Sequence, residues 1–260
     1  MINLPDDISF VSLESEAEFK TVWQNQENDT PITRAVSAGI RADRLSWLFI
    51  AGYQSAIRLA FDGIPENEWW SFAVSEDKTG KAPGVVLADG KLSGTKTWVA
   101  SCDHLDGVIV TTAGHCYQLT RHAAGVQFEA YASADFLPDM STGKLCLTNV
   151  VPLSVIELKI DFRIAEATAL MSASCGYLWR ESKRYGERRL RRGCETVLRR
   201  LAELDQTNLN SIKSIYDEVA EQGKSCAAIA EARGDSSQKD WKQNGRLLSM
   251  YKKVLAGQTN

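Results

Sequence analysis

Apolar positions along the chain fall into three regimes. From Pro31 onward Val36, Ile40, Leu45, Leu48, Phe49 and Ile57 recur at spacings of three, four, seven and eight, the period of a helical face. An acidic stretch from about Leu13 to Trp23 predicts a helix before it. Asn28-Asp29-Thr30-Pro31 supplies a stop and a cap between the two, and the helical block ends near Gly63 and Pro65. From Trp69 to Leu158 the period shortens. The runs SFAVS, GVVLA, KTWVA, GVIVTT, CYQLT, VQFEAY and KLCLTNVV, separated by Gly, Asp, Pro and Ser, predict an antiparallel barrel or sandwich. Gly107 to Thr112 is almost wholly apolar and reads as a central strand, whereas Val126 to Tyr131 alternates and reads as one with a wet face. From Phe162 the helical period returns with no further proline. Leu190, Cys194, Val197, Leu198 and Leu201 make one stripe, and Ile212, Ile215, Val219 and Ala220 a second after a turn around Asp205 to Asn210. A third helix beyond Arg233-Gly234-Asp235-Ser236 carries Trp241, Leu248, Tyr251 and Leu255.

The pattern predicts an α+β multidomain chain: an N-terminal helical segment (1–66), a small antiparallel β-barrel domain (67–158) and a C-terminal helical bundle (159–260). With 260 residues and a formal charge of −3 there is core enough for this, and no global field that would draw nucleic acid or a membrane surface. The six cysteines include no Cys-x-x-Cys pair, the N-terminus has neither a basic start nor a long apolar run, and no window is long enough to cross a bilayer. A reduced, cytoplasmic protein is expected. Cys102, His104, His115, Cys116 and His122 lack metal-ligand spacing, with an apolar strand between the halves, so no metal is expected.

The segment GKLSGTKTWVASCDHLDGVIVTTAG resembles the middle-domain stretch of the acyl-CoA dehydrogenase family, in which a turn leads through Lys-x-Trp to an apolar strand. KLCLTNVVPLSVIEL is similar to the strand that closes that domain, and AGYQSAIRLAFDGIPENEWWSFAVSE to the helix leading to the family's Thr-Glu-Pro strand. The domain order agrees, and the match spans most of the chain. The resemblance implies FAD as cofactor and an acyl thioester, carried on CoA or an acyl carrier, as substrate. It implies Trp98, with Val99 and Ala100, against the flavin ring, and Val74, Ser75 and Glu76 at the ring's pyrimidine edge. Two departures stand out. Ala100 occupies the place of a family threonine, with Ser101 one step out of register. Asp77-Lys78-Thr79-Gly80 and Ala82-Pro83-Gly84 replace the family's next residues. The residue-level alternative is that Trp98 is a core residue of a small barrel.

Abstraction of a proton alpha to a thioester needs a carboxylate of raised basicity in a dry site. The late-loop glutamate used by most of the family would fall beyond Asn260. A minority place it on the first bundle helix, and EATALMSASCGYLW resembles that helix, with Glu166 ten residues before Gly176. The other reading of Glu166 is a first-turn glutamate favoured by the helix dipole. The Arg180 to Arg200 segment reads as the solvated face of a long helix with internal ion pairs. The family's Arg-x-x-Phe-Gly, which reaches the diphosphate of a neighbouring subunit's flavin, falls on Arg189 or Arg192 according to register. That implies a homo- or hetero-oligomer, a dimer or tetramer, with an electron-transfer flavoprotein as a further partner. Three functions follow: α,β-desaturation of an acyl thioester; a non-catalytic or half-site subunit that keeps the fold and completes a heteromeric flavoenzyme; and a flavin-dependent oxidase or oxygenase on a non-thioester substrate.

Overall fold

The computed structural model describes residues 4, 10–26, 30–204 and 209–256. Two compact units emerge, one from Met1–Leu59 with Ile160–Asn260 and the other from Ala60–Lys159. The first and third sequence segments thus pack together as one helical unit, with the β unit inserted between them in the chain.

In the helical unit, α1 (Glu16–Gln24) is capped by Ser15, and α2 (Pro31–Arg41) by Thr30 in a reciprocal capping box with Thr33, Pro31 filling the first helical position. The predicted stop at Asn28 and Asp29 lies outside the described residues. After α3 (Leu45–Ala60), α4 (Phe162–Arg184) forms the axis of the bundle: every residue from Ala167 to Ser182 is buried. Helices buried on all sides approach one another through small residues. A Cβ on Gly176 would come within 2.1 Å of the Val36 carbonyl oxygen, and one on Gly39 within 2.0 Å of that of Ala173. The α2 and α4 backbones therefore lie in contact, as only glycine permits.

The long helix expected over Arg180 to Arg200 is broken. Gly186 adopts φ +70, its N–H binds the Lys183 carbonyl at 3.1 Å, and the Glu187 N–H binds the Ser182 carbonyl at 2.8 Å. This Schellman closure ends α4, and α5 (Arg188–Ala202) starts afresh. Nor is the start of the segment solvated: Arg180 and Glu181 are buried and paired with each other, and Arg184 bridges Glu181 at 2.9 Å and Asp235 at 2.6 Å. The α5 stripe from Leu190 to Leu201 is buried as predicted. On α6 (Leu209–Ala232) Ile212, Ile215 and Val219 are buried, while Ala220 is only half-buried. Of the turn expected before α6, residues 205–208 lie outside the described residues. The third predicted helix is fragmented into α7 (Gln238–Asn244), a 3-10 turn (Gly245–Ser249) and α8 (Lys252–Leu255), with Trp241, Leu248, Tyr251 and Leu255 all buried.

The β unit holds two four-stranded sheets rather than the expected barrel. Sheet one, in order β1-β4-β5-β8, comprises β1 (Trp70–Ala73), β4 (Gly107–Thr112), β5 (His115–Thr120) and β8 (Ser154–Ile156). Sheet two, in order β2-β3-β7-β6, comprises β2 (Val86–Ala88), β3 (Lys91–Ala100), β7 (Thr142–Val150) and β6 (Val126–Ala130). All pairs are antiparallel except β1 with β4, which run parallel because a long connection through sheet two separates them. Strand β4 is internal and buried, as its apolar run predicts, and β6 lies at an edge and is largely exposed.

Candidate functional site

In the β unit the candidate residues gather where β3 passes the end of β1. Lys96 pairs with Leu145 of β7 and Val99 with Gly143, so β3 advances three residues while β7 advances two. The extra residue makes a bulge at Thr97–Trp98, a device that turns a side chain out of the ladder's alternation. Polar groups of Thr97 freed from β7 find other partners: its N–H donates to the Ser75 carbonyl at 2.8 Å, and its carbonyl accepts from the Tyr131 hydroxyl at 2.6 Å. Trp98 is half-buried, unlike the core residues Trp23, Trp47 and Trp69, all at 1% exposure or less.

One strand away, Val74, Ser75 and Glu76 are exposed. Lys96, 2% exposed, braces them: its Nζ donates to the Val74 carbonyl at 3.3 Å and meets Glu76 Oε1 at 2.5 Å. That ammonium holds the Glu76 carboxyl below its usual range, and the same oxygen accepts from the Val85 N–H at 3.1 Å. Val99 and Ala100 are fully buried. Ser101, beyond the strand end at φ +55, is buried with its hydroxyl bonded to no protein group. A half-buried indole, the exposed backbone of Val74 to Glu76 and a buried hydroxyl without a protein partner are the groups the β unit offers in this stretch.

In the helical unit Asp161 caps α4, so Glu166 is the fifth helical residue and stands beyond the first turn, where the dipole reading would need it. It keeps a partial opening to solvent, yet enclosure of its carboxyl raises the pKa to about 7; a hydrogen bond from the Tyr251 hydroxyl opposes that rise. Tyr251, which the periodicity marks only as a core residue, is a group that sequence reasoning did not connect with Glu166. Nothing in the stripe signals it, because its partner lies on a helix far back in the chain.

Arg189 and Arg192 are both exposed on α5, three positions apart and hence on one helical face, so the two registers place their arginine on the same surface. Among the described residues no group of three or more His, Cys, Asp or Glu side chains stands together as a metal site. None of the described helices is long and apolar enough to cross a membrane.

No protein-family model matches the sequence, and no curated protein does. Solved structures do resemble the fold. Butyryl-CoA dehydrogenase from Megasphaera elsdenii superposes with a TM-score of 0.65 at 10% identity, over 94% of this chain and 88% of that one. FkbI, for biosynthesis of a methoxymalonyl extender unit, gives 0.63 at 13% identity over 87% and 83%. PigA with FAD and proline gives 0.60 at 11% over 94% and 90%. The chain has the fold of the acyl-CoA dehydrogenases.

Proposed function

We propose that the protein is an FAD-dependent oxidoreductase that desaturates an acyl-CoA or acyl-carrier thioester between its alpha and beta carbons. The observation that carries this reading is Glu166, a carboxyl near neutral pKa, partly open to solvent, on the bundle helix where the resemblance expects a base. Its carboxylate takes the alpha proton, and the electron pair left on the alpha carbon forms the double bond as the beta hydride departs. FAD, when bound, supplies the acceptor for that hydride. Trp98, with Val99 and Ala100 beside it in the strand, shields the ring from water, and the backbone of Val74, Ser75 and Glu76 fixes its edge. Arg189 and Arg192 are the phosphate-binding candidates, suited to bidentate contact with a diphosphate, which in an oligomer is that of a neighbouring subunit's flavin. An electron-transfer flavoprotein is the proposed electron acceptor. Fold likeness to butyryl-CoA dehydrogenase and to the FAD-containing PigA supports the class of reaction.

A second reading, a half-site subunit that completes a heteromeric flavoenzyme, is favoured by Ala100, fully buried and without the hydroxyl expected there. Purification decides between them. The enzyme reading expects a yellow protein whose colour bleaches with a thioester, and a Glu166→Gln rate lower by roughly 10²–10⁴-fold. A chain that stays colourless with added FAD favours the half-site subunit, and unchanged bleaching in Glu166→Gln removes Glu166 from the mechanism.

A further inference from the structure

The bulge leaves Thr97 and Trp98 outside the β3–β7 register, so the ladder does not orient the peptide bond that joins them. Both ends of Thr97 are nevertheless tied. On the β1 side its N–H donates to the Ser75 carbonyl at 2.8 Å, and the neighbouring Lys96 ammonium reaches the Val74 carbonyl and the Glu76 carboxylate, so two consecutive residues of β3 hold that flank. On the other side the Thr97 carbonyl accepts from the Tyr131 hydroxyl at 2.6 Å. Tyr131 directly follows β6. Ala130 pairs with Gly143 of β7, itself paired with Val99 of β3, and the Tyr131 N–H donates to the Thr142 carbonyl at 2.8 Å. Its backbone is thereby fixed to β7, while the residue stays 47% exposed. A ring half in water gains little from packing, yet its hydroxyl crosses to a carbonyl two strands away.

That carbonyl belongs to the peptide plane whose other end is the Trp98 nitrogen. The soft dihedrals on either side of the plane, ψ of Thr97 and φ of Trp98, decide how the chain enters Trp98 and so where its Cα–Cβ bond is directed. We infer that Tyr131 is a positioning residue for the Trp98 indole: its hydroxyl, carried on a backbone fixed to β7, holds the Thr97 carbonyl and with it sets the stance of the indole before any cofactor arrives. What the indole meets rests on the proposed function; that Tyr131 orders it rests on the hydrogen bond. Without that bond the plane is tied at one end, the indole samples several stances, and ordering it on binding lowers affinity while the sheet itself persists.

The test begins on the full-length, flavin-free protein labelled with fluorotryptophan and followed by fluorine NMR, with Trp98→Phe assigning the Trp98 signal. Wild type is expected to give one narrow signal for Trp98. Tyr131→Phe, which removes only the hydroxyl, is expected to broaden or split that signal while the buried Trp23, Trp47 and Trp69 keep theirs. Tyr131→Leu carries the test should the phenylalanine variant not fold. A divided Trp98 signal in wild type, or one unmoved in whichever variants fold, overturns the inference. FAD titration supplies the second readout. Tyr131→Phe is expected to weaken FAD binding about fivefold, the affinity equivalent of one net hydrogen bond. In a Trp98→Phe background the same change is expected to leave affinity unaltered, a coupling that a general loss of packing would not give. Equal weakening in both backgrounds means the tyrosine acts without the indole, and the inference falls. If wild type binds no FAD, the proposed flavin function fails while the fluorine signal still judges whether Tyr131 holds the indole.

Discussion

Lys96 and Glu76 form an ion pair whose two ends are in different media: the ammonium is 2% exposed and the carboxylate 42%. Removing one end is therefore not equivalent to removing the other. Glu76→Ala leaves a buried cation with only the Val74 carbonyl and is expected to cost about 2–4 kcal/mol in chemical denaturation, the range for a buried charge stripped of its partner. Lys96→Met returns Glu76 to water and is expected to cost about 1 kcal/mol or less. Glu166 gives a second asymmetry, this time in pH. Its pKa rises on folding from 4.5 to about 7, so between those values the folded chain keeps a proton that the unfolded chain has released. Stability from this site is complete below about pH 4.5 and is lost as pH climbs to about 7, a change on the order of 3 kcal/mol. Denaturation midpoints of wild type and Glu166→Gln should diverge across that window, wild type falling relative to the variant, and run parallel above it.

At the scale of elements, the backbones of α2 and α4 cross in close contact at Gly39 and Gly176. Neither neighbouring carbonyl is the tip of a flexible side chain, so a methyl there must push helices apart. Gly176→Ala is expected to lower stability by about 1–3 kcal/mol, read as an earlier thermal melt, despite the better helix propensity of alanine. Sequence patterning anticipates much at this level. Capping at Thr30-Pro31, the α5 stripe and the buried run of β4 all follow from local rules, because each depends on residues a few positions apart. It fails where a distant group decides. Gly186 reads as one more residue in an arginine-rich helix until the Ser182 carbonyl is seen to close a turn there. Parallel pairing of β1 with β4 depends on a chain path that no strand pattern encodes. Trp98 stands out in the sequence as a candidate because turn signals and alternation converge on it, whereas the hydroxyl of Tyr251 is inseparable by period from the leucines around it.

Across the whole molecule, the order of helix, strand and helix regimes is what the sequence shows best, and with the motif segments of the resemblance it points to the fold shared by structures at 10–13% identity. A net charge of −3 makes the exposed arginines of α5 a local rather than global attraction. Replacing Arg189 and Arg192 together with alanine is expected to reduce FAD affinity at least tenfold, measured as the flavin retained per chain on gel filtration, with the melting temperature of the flavin-free protein little changed. The bulge in β3 bears on how this chain tolerates gain and loss of residues. A deletion elsewhere in a paired strand turns every following side chain to the wrong face. At Thr97–Trp98 the ladder already carries one residue more than its partner needs, so it could shed that residue and still close in register. The surplus residue is thus dispensable to the sheet, while on the proposed function it forms the wall of the ring site. On that reading a lineage could abandon cofactor binding here in a single step while leaving a sound fold behind.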